Sequence, residues 1–258
     1  MSQKRVMLYF GSFNPIHRGH IALAEYVVEQ GLCDELIMVV SPQNPLKESS
    51  DLAPELERFT MAELACGESK YSDRIKPSLI EFMLPKPSYT INTLRHLTSE
   101  YGAQMSFSIL MGGDIIAQFH KWRDYEEILR DYPIYLYPRE GEVVDRYLDR
   151  ITILEGAPMF DVSSSQVRRE LLVGGNVESM IPESVAKHIA SLGLWREPTT
   201  VQHFVERGKW HYQHERWGEA LNDFNRALAI DPSCVEASEF ALMARQILEF
   251  RYTDIYNP

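Results

Sequence analysis

The sequence predicts an α/β fold, a doubly wound parallel sheet followed by a small all-helical extension. Three observations predict it. Short apolar runs that are typical of buried strands alternate with stretches of helical apolar spacing from the first residues to about residue 140. Two of these runs lead into glycine- or serine-containing turns that open a helix. Beyond about residue 200 the apolar pattern is wholly helical.

Strands and helices follow one another in a regular order. Strands are predicted at 6–10, 35–40, about 75–83, 105–113, 133–138 and 151–156. Helices are predicted at about 18–30, at 55–66, from near Thr90, after Asp114, from the serine run at 163–165 to Gly174, and from near Pro182 to Gly193. Because helices separate most successive strands, right-handed crossovers and a parallel sheet are expected.

Composition excludes several classes of protein. With 258 residues, of which 45% are hydrophobic and 24% charged, the chain can bury one substantial domain and a small one. A net charge of −11 argues against nucleic acid as a partner, although it leaves room for a local phosphate pocket. No apolar run approaches the ~18 residues of a membrane span, so we expect a cytoplasmic protein with no membrane partner. The three cysteines lack the spacing of a disulfide framework or a zinc site.

The segment GSFNPIHRGH (11–20) joins the first strand to the first helix, at the sheet edge where ligands bind. His17 and His20 would face the same side of the first helical turn, where backbone amides and the helix dipole attract anions. Gly11 would let the backbone approach a ligand. These features predict a phosphate site. A simple turn followed by two surface histidines fits this stretch, taken alone, equally well.

A second segment, VSSSQVRRELL (162–172), also opens a helix after a strand-like run. Ser163 and Gln166 fit a capping box, which favours a purely structural role for the hydroxyl groups when the segment is taken alone. Arg168, one turn into the helix, adds a group that can meet phosphate oxygens from the same helix end.

Two further segments carry candidate binding residues. In MGGDIIAQFHKW (111–122), Gly112 and Asp114 follow a central strand, where the acid either caps a helix or holds a ribose hydroxyl. Trp122 is either a core residue or an aromatic platform for a flat ring. In PSYTINTL, Thr90 either caps a helix or binds a carboxylate, and Lys47 is either solvated or a phosphate clamp.

Taken together, these segments resemble the nucleotidylyltransferase superfamily. GSFNPIHRGH is similar to its (H/T)xGH signature, and VSSSQVR to its second signature, usually ISSTxIR. With PQNPLK, SYTINTL, MGGDIIAQFHKWRDYEEIL and IPESVAKHIASLGLW in the same order, residues of about 5–196 resemble the bacterial nicotinate mononucleotide adenylyltransferase family. The chain departs from the usual pattern at Val162, Ser165, Asn92 and Leu46.

The resemblance implies a Rossmann-like nucleotidylyltransferase fold and the transfer of AMP from ATP to nicotinate mononucleotide, giving deamido-NAD and pyrophosphate. The catalytic residues that it implies are His17, His20 and Arg168. The ATP-binding residues that it implies are Gly11, Ser12, Phe13, Gly112, Asp114, Ser164 and Ser165, and the acceptor-binding residues are Lys47, Thr90 and Trp122. Mg²⁺ is implied as a cofactor that bridges the ATP phosphates, with few or no protein ligands.

Two alternatives remain open at the level of sequence. The acceptor can be another phosphorylated compound, such as nicotinamide mononucleotide, pantetheine phosphate or flavin mononucleotide. The protein can also be a peptide-binding scaffold that acts through its carboxyl-terminal repeat.

The carboxyl-terminal segment is similar to one tetratricopeptide repeat. We predict a catalytic domain over 1–196 and a helical extension over 197–258. Residues at the small, aromatic and proline positions of the repeat are Gly208, Ala220, Phe224, Ala227 and Pro232. Because such repeats normally stack in threes or more, a single one predicts a docking appendage. It would pack either on the same chain or on a second copy in a homo-oligomer.

Overall fold

The computed structural model describes residues 3–42, 52–138, 146–172, 174–195, 200–213 and 215–255, with the backbone alone at Asp114 and at 251–255. The strands are β1 (Lys4–Gly11), β2 (Glu35–Val40), β3 (Ile75–Ser78), β4 (Met105–Gly112), β5 (Ile134–Tyr137) and β6 (Ile151–Ile153). The helices are α1 (Arg18–Glu29), α2 (Glu55–Gly67), α3 (Ile80–Met83), α4 (Thr90–Tyr101), α5 (Gly113–Ile116), α6 (Tyr125–Asp131), α7 (Ser164–Leu172), α8 (Glu183–Leu192), α9 (Val201–Gln213), α10 (Trp217–Ile230) and α11 (Val235–Ile255).

The six strands form one parallel sheet in the order β3-β2-β1-β4-β5-β6, which confirms the predicted doubly wound fold. The chain builds outward from β1 to β3 and then returns to place β4 on the other side of β1. The strand order therefore reverses between β1 and β4, and in such sheets ligands bind in the crevice outside the carboxyl ends of those strands. Gly11 and Gly112 are the last residues of the two strands.

The core surrounds the central strands. Val6, Met7, Leu8 and Tyr9 of β1 are all buried, as expected of a strand that is covered on both faces. One face of the sheet packs against apolar side chains of α4 and of the segment that follows β4. The central strands are therefore rigid supports for the loops at their carboxyl ends.

Two predicted elements differ most from those observed. The third strand ends at Ser78 rather than near residue 83, because the Ser78 hydroxyl accepts the amide N–H of Ile80 at 3.2 Å and turns the chain into α3. The helix expected after Asp114 is divided into α5, a short 3₁₀ turn over Phe119–Lys121, and α6. Trp122 therefore lies just beyond the 3₁₀ turn rather than within a helix.

The chain forms two compact units. One comprises Met1–Val167 and Val177–Val185, and the other comprises Arg168–Asn176 and Ala186–Pro258. The predicted boundary between residues 196 and 197 stays a prediction, because residues 196–199 lie outside the described ranges.

The second unit contains α9, α10 and α11, as the helical pattern predicts. The small positions of the predicted repeat are closely packed, since a methyl group built at Gly208 would lie 2.6 Å from the ring of Phe224. Ala220 and Ala227 are fully buried on α10. Asp223 is buried in the same unit and accepts two hydrogen bonds of 2.7 Å from the Arg207 guanidinium.

Within the described parts of the chain, every helix is too short or too polar to cross a membrane.

Candidate active site

Two histidines lie close together where the loop after β1 enters α1. His17 precedes the first residue of the helix and His20 lies in its first turn, and their imidazole rings stack with centroids 3.5 Å apart. The backbone amide of His17 donates a hydrogen bond of 3.1 Å to Nδ1 of His20. Because Nδ1 accepts this bond, the ring hydrogen of neutral His20 resides on Nε2, where it can be donated to an anion.

The loop between the strand and the histidines is shaped by Phe13. Its backbone has a φ of 45°, in the left-handed region that an aromatic residue seldom adopts, and its side chain is buried. The Phe13 ring packs edge-on against His20, with centroids 5.1 Å apart, and against Tyr9 at 5.6 Å. A methyl group at Gly11 would lie 2.9 Å from the same ring. Close packing against the Phe13 ring thus explains why residue 11 is a glycine.

The glycine between the histidines also has a structural reason. A methyl group built at Gly19 would lie 3.1 Å from both Nδ1 of His17 and Cβ of Phe160. The first turn of α1 is held in place from outside the helix, since the amide of Arg18 donates to the carbonyl of Met180 at 2.8 Å. The small residue therefore keeps space beside the His17 ring.

The serine run connects the second signature to the first. The Ser164 hydroxyl at the start of α7 donates to the carbonyl of Pro15 at 2.9 Å. The Ser163 hydroxyl accepts the amide of Gln166 at 3.2 Å, which confirms that it caps the helix. Ser165 is exposed in the first turn, and Arg168 follows one turn later in the same helix.

A cavity of about 260 Å³ opens between these two helix starts. Its walls include His17, His20, Ser163 and Gln166. This volume is close to the lower end of the ~300–1,000 Å³ that is usual for ligand pockets. The structure thus brings part of each signature to one pocket. Among the described lining residues, the second signature is represented by Val162, Ser163 and Gln166 rather than by the predicted Ser164, Ser165 and Arg168.

Sequence reasoning missed several residues that line this pocket. The hydroxyl groups of Tyr9 and Tyr137 lie 3.2 Å apart at the carboxyl ends of β1 and β5. Met159 and Phe160 line the opposite side, with 61% and 48% of their surfaces exposed. Their exposure is seen only in the folded chain, so the sequence carried no signal for them.

Two of the three predicted acceptor residues are described, Thr90 at the start of α4 and Trp122 directly after the 3₁₀ turn. Helix α4 begins at Thr90, so the amides of its first turn point out of the helix end. The Arg123 guanidinium lies 5.0 Å from the ring centre of Tyr89, a contact that sequence reasoning also missed. Tyr89 and Trp122 both pack, half-buried, against the same core cluster. The contact between Tyr89 and Arg123 therefore brings together the residues next to Thr90 and Trp122.

A buried carboxyl group lies behind Thr90. Glu81 is 2% exposed and accepts hydrogen bonds from the hydroxyl groups of Ser88 at 2.9 Å and Thr93 at 3.1 Å. Burial raises the pKa of Glu81 above its ordinary value, although its hydrogen bonds partly oppose this effect. The carboxyl group ties together the residues on either side of Thr90.

The remaining predicted residues are only partly described. Gly112 ends β4 with a φ of −80°, a conformation that any residue adopts. Asp114 lies in α5, but its side chain is outside the described part of the chain, and so is the whole of Lys47. Ser12 is half-buried in the loop after β1.

Comparison with known proteins assigns this arrangement to a family. The family model described as Cytidylyltransferase-like matches residues 8–170. A curated relative from Flavobacterium johnsoniae, named probable nicotinate-nucleotide adenylyltransferase, is 41% identical over 189 residues, which cover 72% of this chain and 95% of the relative. A second, from Bacteroides fragilis, carries the same name and is 36% identical over 73% of this chain and 92% of its own length. The chain belongs to the nicotinate-nucleotide adenylyltransferase family.

Solved structures agree with this family in fold. The nicotinic acid mononucleotide adenylyltransferase of Plasmodium falciparum, in complex with NaAD, matches with a TM-score of 0.63 at 16% identity over 75% of this chain and 98% of its own. Membership of the nicotinate-nucleotide adenylyltransferase family confirms the resemblance that the two signatures predict. A little over a quarter of this chain lies outside the match to the Flavobacterium relative.

Proposed function

We propose that this chain transfers AMP from ATP to nicotinate mononucleotide, with deamido-NAD and pyrophosphate as products. The observation that carries the proposal is the stacked pair of His17 and His20 in the lining of a pocket that also includes the start of α7. The names of the curated relatives support the choice of substrates.

The proposed chemistry needs alignment and charge neutralisation rather than a protein nucleophile. An oxygen of the nicotinate mononucleotide phosphate attacks the α-phosphorus of ATP in line. The bond from that phosphorus to the oxygen bridging to the β-phosphorus breaks, and pyrophosphate leaves with the electron pair. His20 donates its Nε2 hydrogen to the phosphates as negative charge moves onto the leaving pyrophosphate. His17 stacks against the His20 ring at the start of α1.

The remaining ATP contacts follow from the two signatures. Ser165 and Arg168 hold the β- and γ-phosphates together with the first amides of α7. Ser164 contributes through its backbone amide, because its hydroxyl hydrogen is donated to the Pro15 carbonyl. Ser12 and Phe13 contribute backbone groups, since the Phe13 side chain is buried. Gly11 begins this loop at the end of β1, and Gly112 and Asp114 lie by the ribose units after β4.

The acceptor is bound beside α4. The backbone amides that surround Thr90 receive the nicotinate carboxylate, because free amides at a helix start suit a small anion. Trp122 offers an aromatic face to the pyridine ring, and Lys47 pairs with the acceptor phosphate.

Mg²⁺ is proposed to enter with ATP. Among the described residues, no group of three His, Cys, Asp or Glu side chains is placed to hold a metal ion. Because Mg²⁺ dehydrates reluctantly, it would keep water and phosphate oxygens as its ligands. The histidine and hydroxyl groups of the site would then donate hydrogen bonds to the phosphates rather than bind the ion. When bound, Mg²⁺ neutralises charge on the phosphates, and the residues named above orient those phosphates.

The test is pyrophosphate release by the full chain with ATP, Mg²⁺ and a panel of acceptors. We expect release with nicotinate mononucleotide and little with nicotinamide mononucleotide, pantetheine phosphate or flavin mononucleotide. The His20→Ala variant provides the matched control for contaminating activity. Release with one of the other three acceptors alone would replace the proposed substrate, and no release with any of them would overturn the enzymatic proposal.

A further inference from the structure

Arg58 on α2 is a charged residue with no exposed surface at all. Its guanidinium donates hydrogen bonds to four backbone carbonyl groups, those of Ser12 at 2.8 Å, Ser41 at 2.6 Å, Pro42 at 2.6 Å and Ala53 at 3.1 Å. A buried cation is tolerated only when its donors are satisfied, and the planar guanidinium is suited to several acceptors at once. Burial lowers the pKa of Arg58 to about 10, so the group stays charged at neutral pH.

The four carbonyl groups belong to three separate segments of the chain that meet at the carboxyl edge of the sheet. Ser12 lies in the loop between β1 and α1, while Ser41 and Pro42 directly follow β2. Ala53 precedes α2, and its amide donates to the side-chain oxygen of Asn14 at 2.9 Å. Arg58 therefore joins the loop that leads to the histidines to the neighbouring strand end.

The Ser12 carbonyl is the link towards the phosphate site. It directly precedes Phe13, whose left-handed backbone persists only where the surrounding structure holds it. The ring of Phe13 in turn packs edge-on against His20 at 5.1 Å. A hydrogen bond to the Ser12 carbonyl thus acts on the orientation of His20 through one intervening side chain.

We propose that Arg58 is a positioning residue of the phosphate site, which fixes the Phe13 backbone through the Ser12 carbonyl and so sets the orientation of the His20 ring. The inference deepens the proposed function and rests on it for the consequence in turnover. The effect on the His20 ring itself is expected in the protein without substrates.

Arg74 provides a matched control. Its guanidinium also donates to backbone carbonyl groups, those of Cys33 and Asp34, both at 2.8 Å. These carbonyl groups lie at the amino end of β2, the opposite edge of the sheet from the pocket. The loss of either arginine removes hydrogen bonds to backbone carbonyl groups, but only the loss of Arg58 alters the loop that carries Phe13.

The experiment compares Arg58→Lys and Arg58→Met with Arg74→Lys and Arg74→Met in the full chain. Three quantities are measured: the melting temperature, kcat and KM for ATP, and the ¹⁵N–¹H signals of the His20 ring, which are assigned with His20→Ala. Misplacing a catalytic group by about 1 Å can cost about 100-fold in rate, so we expect kcat of Arg58→Lys to fall by about 10-fold or more. KM for ATP should change less, and the His20 signals should shift.

The Arg74 variants should lower the melting temperature while kcat and the His20 signals stay as in the unchanged protein. If Arg58→Met does not fold, Arg58→Lys together with Phe13→Ala keeps the proposal testable. Because Arg58 is proposed to act through Phe13, Arg58→Lys should cost much less in kcat when Phe13 is already alanine.

A folded Arg58→Lys with unchanged kcat and unshifted His20 signals would overturn the positioning role. If Arg58→Lys lowers kcat by the same factor in the presence and in the absence of Phe13→Ala, the proposed route through the Phe13 ring is overturned. If the unchanged protein has no turnover with nicotinate mononucleotide, the proposed function fails, while the His20 signals still decide the role of Arg58.

Discussion

The imidazole rings of His17 and His20 stack with centroids 3.5 Å apart, and the amide of His17 binds Nδ1 of His20. The His17 ring therefore packs on the His20 ring, while the His17 backbone amide sets the position of the His20 ring hydrogen. A change at either position disturbs the pair, and the two residues are expected to act as one unit.

We predict that His20→Ala lowers kcat by about 100-fold or more, because it removes a donor that stabilises charge in the transition state. His17→Ala should act similarly, and the double variant should lose little more than either single one. Steady-state kinetics on proteins with matched circular dichroism spectra checks this. His96→Ala, on α4 and outside the pocket lining, is the control and should keep full turnover. Full turnover in folded His20→Ala would contradict the phosphate role.

The second prediction concerns the acceptor. Nicotinate mononucleotide should be preferred over the nicotinamide form by at least ~100-fold in kcat/KM, since amide donors set for a carboxylate pair poorly with a carboxamide. Trp122→Leu should raise KM for the acceptor more than KM for ATP. Equal kcat/KM for both acceptors would show a dual-specificity enzyme instead.

The third prediction follows from the buried Glu81. Its pKa is raised in the folded protein, so the folded state binds a proton more tightly than the unfolded state. The free energy of unfolding should therefore fall as pH rises from 4.5, the ordinary value, through the raised pKa. Glu81→Gln should lack this loss, so its stability relative to the unchanged protein should increase with pH across that window.

Urea unfolding at a series of pH values measures this difference. Glu68 serves as the control of opposite sign. Burial raises its pKa, but hydrogen bonds led by that from Ser184 outweigh burial and leave the pKa lowered. Glu68 should therefore add to the free energy of unfolding at neutral pH, and this contribution should be lost as pH falls through the pKa of Glu68 in the folded protein. A Glu81→Gln curve parallel to that of the unchanged protein would contradict the assigned shift.

Much of the fold could be predicted from the sequence. Continuous apolar runs gave the central strands β1, β2 and β4 because both faces of a parallel strand are buried, and Ser163 was correctly identified as a helix cap. The strand that ends at Ser78 was predicted too long, because a local hydroxyl-to-amide bond overrides the apolar pattern that continues beyond it.

The buried residues that hold the loops of the site in place could not be predicted from the sequence. Arg58 and Glu81 lie among ordinary helix-forming residues, and charged side chains in such positions are usually solvated. Their burial depends on carbonyl and hydroxyl groups that are distant in the sequence and meet only in the folded chain. The left-handed backbone of Phe13 likewise depends on tertiary contacts.

The fourth prediction concerns the second unit. Gly208→Ala should destabilise it by about 1–3 kcal/mol, because the added methyl group would lie 2.6 Å from the buried Phe224 ring. Gly218→Ala is the matched control, since nothing lies within 4 Å of a methyl group there. That substitution in α10 should be neutral or stabilising by up to about 1 kcal/mol. Thermal unfolding of both variants decides, and equal melting temperatures would contradict the close packing of α9 on α10.

The most direct test of the central claim follows the label from ATP. The full chain is incubated with nicotinate mononucleotide, Mg²⁺ and ATP labelled with ³²P at either the α- or the γ-phosphate, and the products are separated. Adenylyl transfer predicts that the α-label appears in a dinucleotide with the mass of deamido-NAD and the γ-label in pyrophosphate. A γ-label found in inorganic phosphate or on the acceptor, with no labelled dinucleotide, would contradict the account.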